Sequence, residues 1–465
     1  MTHWHIVGIC GIGMSALAQF ARAQGIEVSG SDRALENQEN STLKAMLQAQ
    51  NIALYPQDGS RFADGNPPVD AVVYSTAIEE SNPDFACSRG VERIHRATAL
   101  KELILKRCSS GKVSIAVAGT CGKTSTTAII AEALACAGAD PECINGGMIK
   151  AFRSEAFPGN YRPGNGAIVF EADESDKSLL EFHPDYALVL NIGTDHYPKA
   201  ELAEMFARFI DQSARGAVLS PEVWDLVKDK VRNDLEIRIF ADKPGCGDIA
   251  LTGYKNANGQ SLAQFGSCGE FHALPSPGKH TALNIAAAAA LLELMGYPAD
   301  EALKNALQSN GVARRFDFKG RTAFGAAVYD DYAHNPEKVA TIIAAAQETV
   351  GDAGRVLAFF QPHGYGPFGF MKDELAKVLN KTLRQQDKLF LAEPFYAGGT
   401  SSFSPHASDV VAQWKSFYPQ LAVELAESRG EVKTKLLATA AKDDLILIMG
   451  ARDNSLSEFA ASLCS

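Results

Sequence analysis

The residues best suited to chemistry lie in one glycine-rich turn, whose sequence is Gly119-Thr120-Cys121-Gly122-Lys123-Thr124-Ser125. An apolar run precedes this turn and a helix-like stretch follows it, which is the context of a phosphate-binding P-loop. In such a loop, backbone N–H groups surround the phosphates, a lysine neutralises their charge, and a hydroxyl can bind Mg²⁺. The first glycine of the usual Gly-x-x-x-x-Gly-Lys-[Ser/Thr] pattern is absent, but the context still favours ATP over a purely structural turn. We therefore predict that Lys123 contacts the phosphates of ATP and that Thr124 reaches the metal.

Polar side chains also follow two neighbouring apolar runs. The acidic cluster Glu171-Ala-Asp173-Glu174-Ser-Asp176 follows residues 168–170, and Asn191, Asp195 and His196 follow residues 186–190. Because the carboxyl ends of strands in an open α/β sheet meet at the ligand crevice, we expect these side chains on the rim that holds the P-loop. An acidic cluster beside a P-loop is where Mg²⁺ is expected. Without the P-loop, Glu171 and His196 would be read as a solvated turn and a capped core histidine.

A second glycine cluster opens the chain, with Gly8, Gly11 and Gly13 placed where a strand should end and a helix begin. Asp32 ends the next predicted strand. Glycines allow a diphosphate to approach the backbone near a helix N-terminus, and a carboxylate at this distance suits a ribose or a similar diol. The spacing is not Gly-x-Gly-x-x-Gly, so a nicotinamide cofactor is less favoured. A nucleotide site and a tight packing turn both remain open from these residues alone.

Composition limits the class of protein. The chain has 465 residues, 46% of them hydrophobic and 21% charged, which predicts a folded protein of about three domains. Lys and Arg number 44 against 55 Asp and Glu, a net charge of -11 that argues against nucleic acid or an anionic membrane as partner. No apolar run approaches a membrane span and no secretion signal is visible, so we expect a cytoplasmic protein. The nine scattered cysteines form no Cys-x-x-Cys pair, which favours reduced thiols.

Alternating apolar runs and amphipathic stretches recur three times, which predicts an α/β fold built from parallel sheets. We place the boundaries between these three regions near residues 109–111 and 314–315. We therefore predict domains at residues 1–108, 109–314 and 315–465.

Taken together, the motifs resemble the Mur ligase family, the ATP-dependent amide-forming enzymes of peptidoglycan precursor synthesis. The resemblance runs along nearly the whole chain, and it implies an N-terminal Rossmann-like domain for a UDP-sugar, a central P-loop domain and a C-terminal Rossmann-like domain for the amino substrate. The motifs that carry it are Gly8–Met14, Gly30–Asp32, Ser75–Ile78, Gly119–Thr124, Asn145–Gly147, Glu171–Asp176, Asn191–His196, Gly278–Asn284, Gly311–Phe318, Asp330–His334 and Phe360–His363.

The resemblance also implies a reaction, in which ATP phosphorylates the lactyl carboxylate of UDP-N-acetylmuramate and the amine of L-alanine attacks the acyl phosphate. Such chemistry needs positioned charges more than a covalent protein group. By similarity, Thr124, Glu171 and His196 would hold Mg²⁺. The other implied roles are ATP binding by Gly119, Thr120, Gly122, Lys123, Thr124, Ser125, Asn284, Arg315 and Asp331, UDP-sugar or amine binding by Gly8, Gly11, Gly13, Asp32, Ser75 and His363, and catalysis by Lys123, Glu171, His196, Arg315 and His334. Among these, Asn284 would contact the adenine, Asp331 would act as a hinge residue or contact the ribose, and His334 would help the amine to lose a proton.

Several positions depart from the family pattern. Cys121 stands where relatives usually have His, and Gly364 begins the stretch to Phe370 where alanine-adding members tend to carry Arg. These departures lie mainly on the amine side. They leave two alternatives open: a ligase that joins UDP-N-acetylmuramate to the recycled peptide L-Ala-γ-D-Glu-meso-diaminopimelate, and a catalytically silent UDP-sugar binder.

Overall fold

The computed structural model describes residues 2–174, 177–193, 197–257, 260–266, 270–396 and 403–465. Three sheets with flanking helices account for these residues, so the predicted α/β fold class is confirmed. The chain forms two compact units. The first holds residues up to 253 with 263–275 and 282–312, and the second holds 254–262, 276–281 and 313–465. The three domain boundaries taken from the sequence stay predictions.

The first sheet has five strands in the order β3-β2-β1-β4-β5, and all its pairings are parallel. Short buried runs such as residues 3–7 form its strands, because a parallel sheet is covered on both faces. Its elements are β1 (His3–Val7), α1 (Ile12–Ala23), β2 (Glu27–Asp32), α2 (Ser41–Ala49), β3 (Ala53–Pro56), β4 (Ala71–Tyr74), α3 (Pro83–Cys87), β5 (Glu92–His95) and α4 (Arg96–Cys108).

The second sheet has ten strands in the order β15-β14-β13-β12-β11-β10-β6-β9-β7-β8. Its buried side chains and those of the first sheet form one continuous hydrophobic core. The region from about residue 234 to 276 supplies four of its strands. Its elements are β6 (Ser114–Ala118), α5 (Lys123–Cys136), β7 (Glu142–Ile144), β8 (Tyr161–Arg162), β9 (Ile168–Glu171), β10 (Tyr186–Val189), α6 (Lys199–Asp211), β11 (Gly216–Leu219), α7 (Pro221–Val227), β12 (Glu236–Ala241), β13 (Ile249–Ala257), β14 (Gln260–Phe265), β15 (His272–Ala273), α8 (Lys279–Leu294) and α9 (Ala299–Ala306).

The third sheet has six strands in the order β16-β17-β21-β18-β19-β20, with β16 antiparallel and the rest parallel. Consecutive residues point to opposite faces of a strand, so Phe359 and Phe360 enter the two separate cores of this sheet. Its elements are β16 (Asp317–Arg321), β17 (Ala327–Asp331), α10 (Pro336–Val350), β18 (Val356–Gln361), α11 (Tyr365–Thr382), β19 (Lys388–Ala392), α12 (Ala407–Phe417), β20 (Val423–Ala426), α13 (Arg429–Thr439), β21 (Leu445–Gly450) and α14 (Ser455–Ala461).

Strand register positions the motifs of the second sheet. Val117 on β6 lies opposite Glu171 on β9, and Ala118 lies opposite Val189 on β10. The P-loop leaves β6 directly after Ala118, so the acidic cluster and the residues after β10 flank it on its two sides. The predicted meeting of these segments at one sheet edge is confirmed for the described residues.

None of the helices in the described ranges combines the length and the apolar character that a membrane crossing requires. Four short 3₁₀ segments complete the secondary structure: Gln38–Asn40, Ser60–Phe62, Lys150–Phe152 and Ser178–Glu181.

Candidate active site

The predicted P-loop joins β6 to α5 through two glycines in the left-handed region, Gly119 with φ 128° and Gly122 with φ 88°. A Cβ on Gly119 would also lie 3.1 Å from the backbone nitrogen of Leu190. Gly122 is the N-cap residue of α5 and no side chain caps this helix end. Since phosphates bind where helix N–H groups point outward, the geometry suits an anion at this end of α5. Ser125 is half-buried in the first turn of the same helix.

Asn191 holds the P-loop in shape through its side-chain amide. Its Oδ1 accepts a hydrogen bond from Cys121 N, and its Nδ2 donates to Cys121 O, both at 2.9 Å. The Thr120 hydroxyl accepts a further hydrogen bond, from Gly193 N at 2.7 Å. The two contacts of Asn191 involve only main-chain atoms at position 121. The loop therefore keeps its conformation with a cysteine there. Only a direct contact from a histidine side chain would be lost.

Lys123 is paired with carboxylates of the acidic cluster. Its ammonium lies 2.6 Å from Glu174 Oε2, donates to Gly119 O at 2.8 Å, and is 3.8 Å from Asp173 Oδ1. Although burial opposes the charged form, Glu174 and then Asp173 raise the pKa of Lys123 above its ordinary value. The lysine is therefore a cation at neutral pH, at the place where a phosphate chain on the loop needs one.

Glu171 joins the P-loop helix to the turn after β7. Its Oε2 accepts a hydrogen bond from the Thr124 hydroxyl at 3.0 Å, and its Oε1 accepts one from Gly146 N at 2.5 Å. A Cβ on Gly146 would lie 2.8 Å from Glu171 Oε1, and one on Gly147 would lie 2.9 Å from Thr124 Cγ2. The two glycines after Asn145 are therefore required for this close approach.

The Thr124 and Glu171 oxygens fit the predicted magnesium site. Mg²⁺ prefers hard oxygen donors, and two of them at about 2.1 Å on an octahedral ion lie about 3.0 Å apart. The Thr124 and Glu171 oxygens are separated by 3.0 Å. His196, the third predicted ligand, lies outside the described residues, as do Asp176 and Asp195. The metal set predicted from the sequence thus stays a prediction, supported by the geometry of its two described members.

Asn284 lies beside the P-loop. A Cβ built on Gly122 would be 3.1 Å from Asn284 Oδ1, so the amide of this α8 residue packs against the loop. Its predicted role, contact with the adenine of ATP, stays a prediction.

The first glycine turn joins β1 to α1. Gly8 has φ 78°, and Gly8 N and Ile9 N both donate to Ser31 O at the end of β2. Asp32 closes the turn, because its carboxylate accepts from Cys10 N at 2.9 Å and from Ala34 N at 2.8 Å. Asp32 was predicted as a contact to a ligand diol, and in the structure it also fixes the backbone.

The other side of this glycine turn is formed by residues that follow β4 and β5. A Cβ on Gly8 would lie 3.3 Å from Ile78 Cδ1, which brings the segment that begins at Ser75 to the turn. A Cβ on Gly13 would lie 3.3 Å from Arg96 Nη1. Ser75 is half-buried, and its predicted contact with a substrate stays a prediction. Gly11, at the N-cap position of α1, donates to Gly8 O at 3.0 Å.

Two further predicted residues lie at the start of the third sheet. The Asp331 carboxylate accepts hydrogen bonds from Phe316 N and Ala333 N, each at 2.7 Å. Burial raises the pKa of Asp331 to about 6, although the nearby Arg315 opposes the rise. Arg315 itself has its guanidinium carbon 5.3 Å from the centre of the Tyr332 ring. Asp331 therefore orders the turn that leads into this unit, and its predicted role as a hinge residue or a ribose contact stays a prediction.

His334 and His363 come together at the carboxyl edge of the third sheet, with ring centres 5.1 Å apart. Burial lowers the pKa of His334 to about 3 and that of His363 to about 4, and the neighbouring Lys338 lowers both further. Since a carbonyl oxygen can only accept, His334 Nδ1 donates to Tyr332 O at 2.9 Å, which leaves Nε2 as an acceptor. The Nδ1 atom of His363 is buried and has no hydrogen-bond partner among the described residues.

This geometry weakens the predicted role of His334 as the group that takes a proton from the amine. A base with a pKa of about 3 holds a proton poorly at neutral pH. An Nε2 acceptor can still orient a neutral amine by accepting a hydrogen bond from it.

The acidic cluster containing Glu174 was recognised in the sequence, but its pairing with Lys123 was not, and Arg96 was missed altogether. Glu174 pairs with Lys123, and Arg96 lies between the first glycine turn and Asp173, 3.2 Å from the carboxylate. Their one visible signal is position, since each follows a strand at its carboxyl end. Their partners lie 51 and 77 residues away, and no local pattern encodes those pairings.

Three sequence profiles match the chain, and together they cover most of it. The profile "Mur ligase family, catalytic domain" matches residues 3–107, "Mur ligase middle domain" matches 117–292, and "Mur ligase, glutamate ligase domain" matches 314–452.

Individual relatives agree with these profiles. A UDP-N-acetylmuramate–L-alanine ligase of Saccharopolyspora erythraea is 38% identical over 81% of this chain and 76% of its own. One of Methylobacterium nodulans is 34% identical over 96% of this chain and 93% of its own. Among solved structures, the UDP-N-acetylmuramate-alanine ligase MurC of Thermotoga maritima superposes with a TM-score of 0.78 at 26% identity, covering 99% of this chain and 98% of that one. Profiles, relatives and fold agree over most of the chain, which belongs to the Mur ligase family.

Proposed function

We propose that this protein is an ATP-dependent amide-forming ligase that joins L-alanine to UDP-N-acetylmuramate during peptidoglycan precursor synthesis. The observation that carries the proposal is the P-loop site, in which Lys123, Thr124 and Glu171 stand in the arrangement that phosphoryl transfer needs. It occurs in a chain that aligns over 96% of its length with an L-alanine ligase. We also place the reaction in the cytoplasm.

The first step is the transfer of the γ-phosphoryl group of ATP to the lactyl carboxylate. A carboxylate oxygen attacks the γ-phosphorus, the bond to the β-γ bridging oxygen breaks, and ADP leaves. The N–H groups at the start of α5 and the ammonium of Lys123 hold the phosphates. Thr124 and Glu171 would hold Mg²⁺, which supplies further neutralisation of phosphate charge. Lys123 must exchange Glu174 for phosphate oxygens when ATP binds.

The second step forms the amide bond. The neutral amine attacks the acyl phosphate carbon, a tetrahedral intermediate forms, and inorganic phosphate leaves as the carbonyl is restored. We assign His334 Nε2 to orientation of the amine, because this atom is an acceptor on a neutral ring. The proton of the amine then leaves with phosphate or water.

One observation favours a second candidate, the ligase for the recycled tripeptide. The residue after His363 is Gly364, with φ 139°, and α11 begins at Tyr365. Where relatives tend to carry an arginine, this chain has no side chain. A peptide amine needs more volume than alanine, so the absence of an arginine side chain beside His363 favours the peptide.

The test is phosphate release from Mg²⁺-ATP with UDP-N-acetylmuramate and one amine at a time: L-Ala, L-Ser, Gly or L-Ala-γ-D-Glu-meso-diaminopimelate. Turnover with L-Ala is the expected result. Turnover with the tripeptide alone would reassign the protein to the recycling ligase. Tight UDP-sugar binding with no turnover on any amine would favour the silent binder.

Lys123→Ala provides the control for the ATP site. We expect this variant to lose nucleotide-dependent phosphate release and to keep binding of UDP-N-acetylmuramate, because Lys123 belongs to the P-loop rather than to the first glycine turn. Unchanged phosphate release in this variant would contradict the assignment of the P-loop.

A further inference from the structure

Arg96 lies against the first glycine turn. It is the first residue of α4 and directly follows β5, so it stands at the carboxyl edge of the first sheet, where that turn also lies. Its Nη1 atom is 3.3 Å from the point that a Cβ on Gly13 would occupy. Because Gly13 has no side chain, the guanidinium can approach the start of α1, where an anion on the turn would be held.

The same guanidinium reaches the acidic cluster beside the P-loop through its other terminal nitrogen. Arg96 Nη2 lies 3.2 Å from Asp173 Oδ2, while Asp173 Oδ1 is 3.8 Å from the ammonium of Lys123. The Arg96 and Asp173 side chains are 35% and 33% exposed, so a ligand in solution can reach them. The Arg96 side chain thus contacts both the first glycine turn and Asp173, the carboxylate that lies beside the P-loop lysine.

Charge explains why an arginine is useful at this place. A nucleoside diphosphate carries two or more negative charges, and this protein has a net charge of -11, so the binding turn needs a local cation. The carboxylate of Asp32, at this turn, is used to hold backbone N–H groups. Arginine presents five donors in a planar fork, so it can donate to Asp173 through one nitrogen and to an anion through another.

We propose that Arg96 binds an anionic group of the sugar nucleotide on the first glycine turn, and that Asp173 positions the guanidinium for this contact. The anionic group is either the diphosphate or the lactyl carboxylate, both of which accept hydrogen bonds from a guanidinium. The inference rests on the proposed function, because it requires a sugar nucleotide at this turn. Asp173, although it lies next to the P-loop, then contributes to the affinity for the sugar nucleotide.

The test is calorimetric titration of the full chain, in the absence of ATP, with UDP, UDP-N-acetylglucosamine and UDP-N-acetylmuramate. We expect Arg96→Gln to raise the Kd for UDP-N-acetylmuramate about 10- to 100-fold, as for the loss of a charged hydrogen bond. Arg96→Lys should show a smaller loss, because it keeps the charge without the fork. Asp173→Asn should raise the same Kd about twofold to tenfold, although no ATP is present.

Lys101→Gln is the matched control. Lys101 lies on the same helix as Arg96 and also pairs with a carboxylate of the second sheet region, since its Nζ is 2.8 Å from Glu181 Oε2 at similar exposure. We expect the Kd of the Lys101→Gln variant for UDP-N-acetylmuramate to stay within about twofold of the wild-type value, because an exposed ion pair contributes little free energy. Thermal unfolding of every variant separates a loss of binding from a loss of folding. Equal weakening by the Lys101 and Arg96 variants would overturn the proposal, because it would indicate a structural ion pair.

The ligand series identifies the anion and separates the two levels of the argument. Weakened binding of all three ligands by Arg96→Gln assigns the diphosphate, and weakened binding of UDP-N-acetylmuramate alone assigns the lactyl carboxylate. Wild-type affinity of Arg96→Gln for all three would overturn the inference and leave the proposed function standing. A wild-type protein that binds none of them would overturn the proposed function and this inference with it. An Asp173→Asn variant with unchanged affinity would remove Asp173 from the proposal.

Discussion

Lys123 Nζ lies 2.6 Å from Glu174 Oε2, in a pair whose side chains are only 16% and 3% exposed. The P-loop lysine is therefore neutralised within the protein itself before any phosphate arrives. A phosphate chain must exchange with Glu174 for this ammonium, and the carboxylate then needs another partner. The net charge at the P-loop therefore depends on Glu174 as well as on Lys123.

The first prediction follows from this pair. Lys123→Ala should lower the rate of phosphate release about 100- to 1000-fold, because the transferred group loses a preorganised cation. It should also lower the free energy of unfolding by about 3 kcal/mol, since Glu174 is left buried without its cation. Adding Glu174→Gln should restore stability but not activity, as measured by urea unfolding and phosphate release. Restored activity in the double variant would contradict a direct role for Lys123.

The second prediction concerns the hydroxyl of Thr124. Thr124→Val should keep the shape of α5 and lower Mg²⁺-dependent phosphate release about 100-fold, because one oxygen donor of the metal site is lost. Thr126→Val is the control on the same helix. Within the part of the chain that the structure describes, the Thr126 hydroxyl is buried without a hydrogen-bond partner, so its replacement should leave activity and stability unchanged or raise stability slightly. Magnesium titrations of the two variants should differ; identical curves would argue against Thr124 as a ligand.

The third prediction concerns the glycines beside Glu171. Gly147→Ala would place a Cβ 2.5 Å from Val312 Cγ1 and 2.9 Å from Thr124 Cγ2, so neighbouring atoms must move. We expect a loss of about 1–3 kcal/mol in the free energy of unfolding and a marked fall in phosphate release, because the crowded atoms include Thr124. Gly430→Ala is the control, since a Cβ there meets nothing closer than 4.0 Å and lies in helix α13. That variant should gain up to about 1 kcal/mol.

The fourth prediction is a dependence of stability on pH. The pKa of His363 is about 4 in the folded protein against an ordinary value of 6.5, and that of His334 is lower still. Both rings therefore bind fewer protons in the folded protein than in the unfolded chain. The free energy of unfolding is unaffected by the titration of these rings above pH 6.5, and it decreases as the pH falls from 6.5 toward 4. Each group contributes a slope of at most about 1.4 kcal/mol per pH unit in that window.

His363→Phe tests this dependence, because the variant cannot titrate at that position and also removes a buried unpartnered nitrogen. Urea unfolding at pH 7, 6 and 5 should give a shallower loss of stability in the variant than in the wild type. If the free energy of unfolding fell equally with pH in the two proteins, His363 would not be buried in its neutral form.

Local sequence was sufficient for the parts of the site that lie within one strand–turn–helix unit. The P-loop was predicted with its lysine and hydroxyl in place, because the spacing of Gly119, Gly122 and Lys123 and the flanking elements are encoded together. The apolar runs before the P-loop, at residues 168–170 and at residues 186–190 were also recognised, since buried parallel strands have continuous apolar runs.

Contacts between distant segments could not be predicted in this way. Asn191 fixes the main chain of Cys121 from 70 residues away, and this explains how the loop tolerates a cysteine. The Asp331 carboxylate holds the main chain of Phe316, which lies 15 residues earlier in the chain. Burial lowers the pKa of His334, and no residue pattern reveals that burial.

The amino-acid sequence by itself determined the α/β class, the family resemblance and the identity of the phosphate-binding turn, because these depend on periodicity and spacing over short stretches. Only the tertiary structure decided which charges meet. The pairing of Lys123 with Glu174, the contact of Thr124 with Glu171 and the position of Arg96 against Gly13 all follow from strand order and register. Coulomb and hydrogen-bond energies depend on distances of a few ångströms, and those distances are set by how the segments pack.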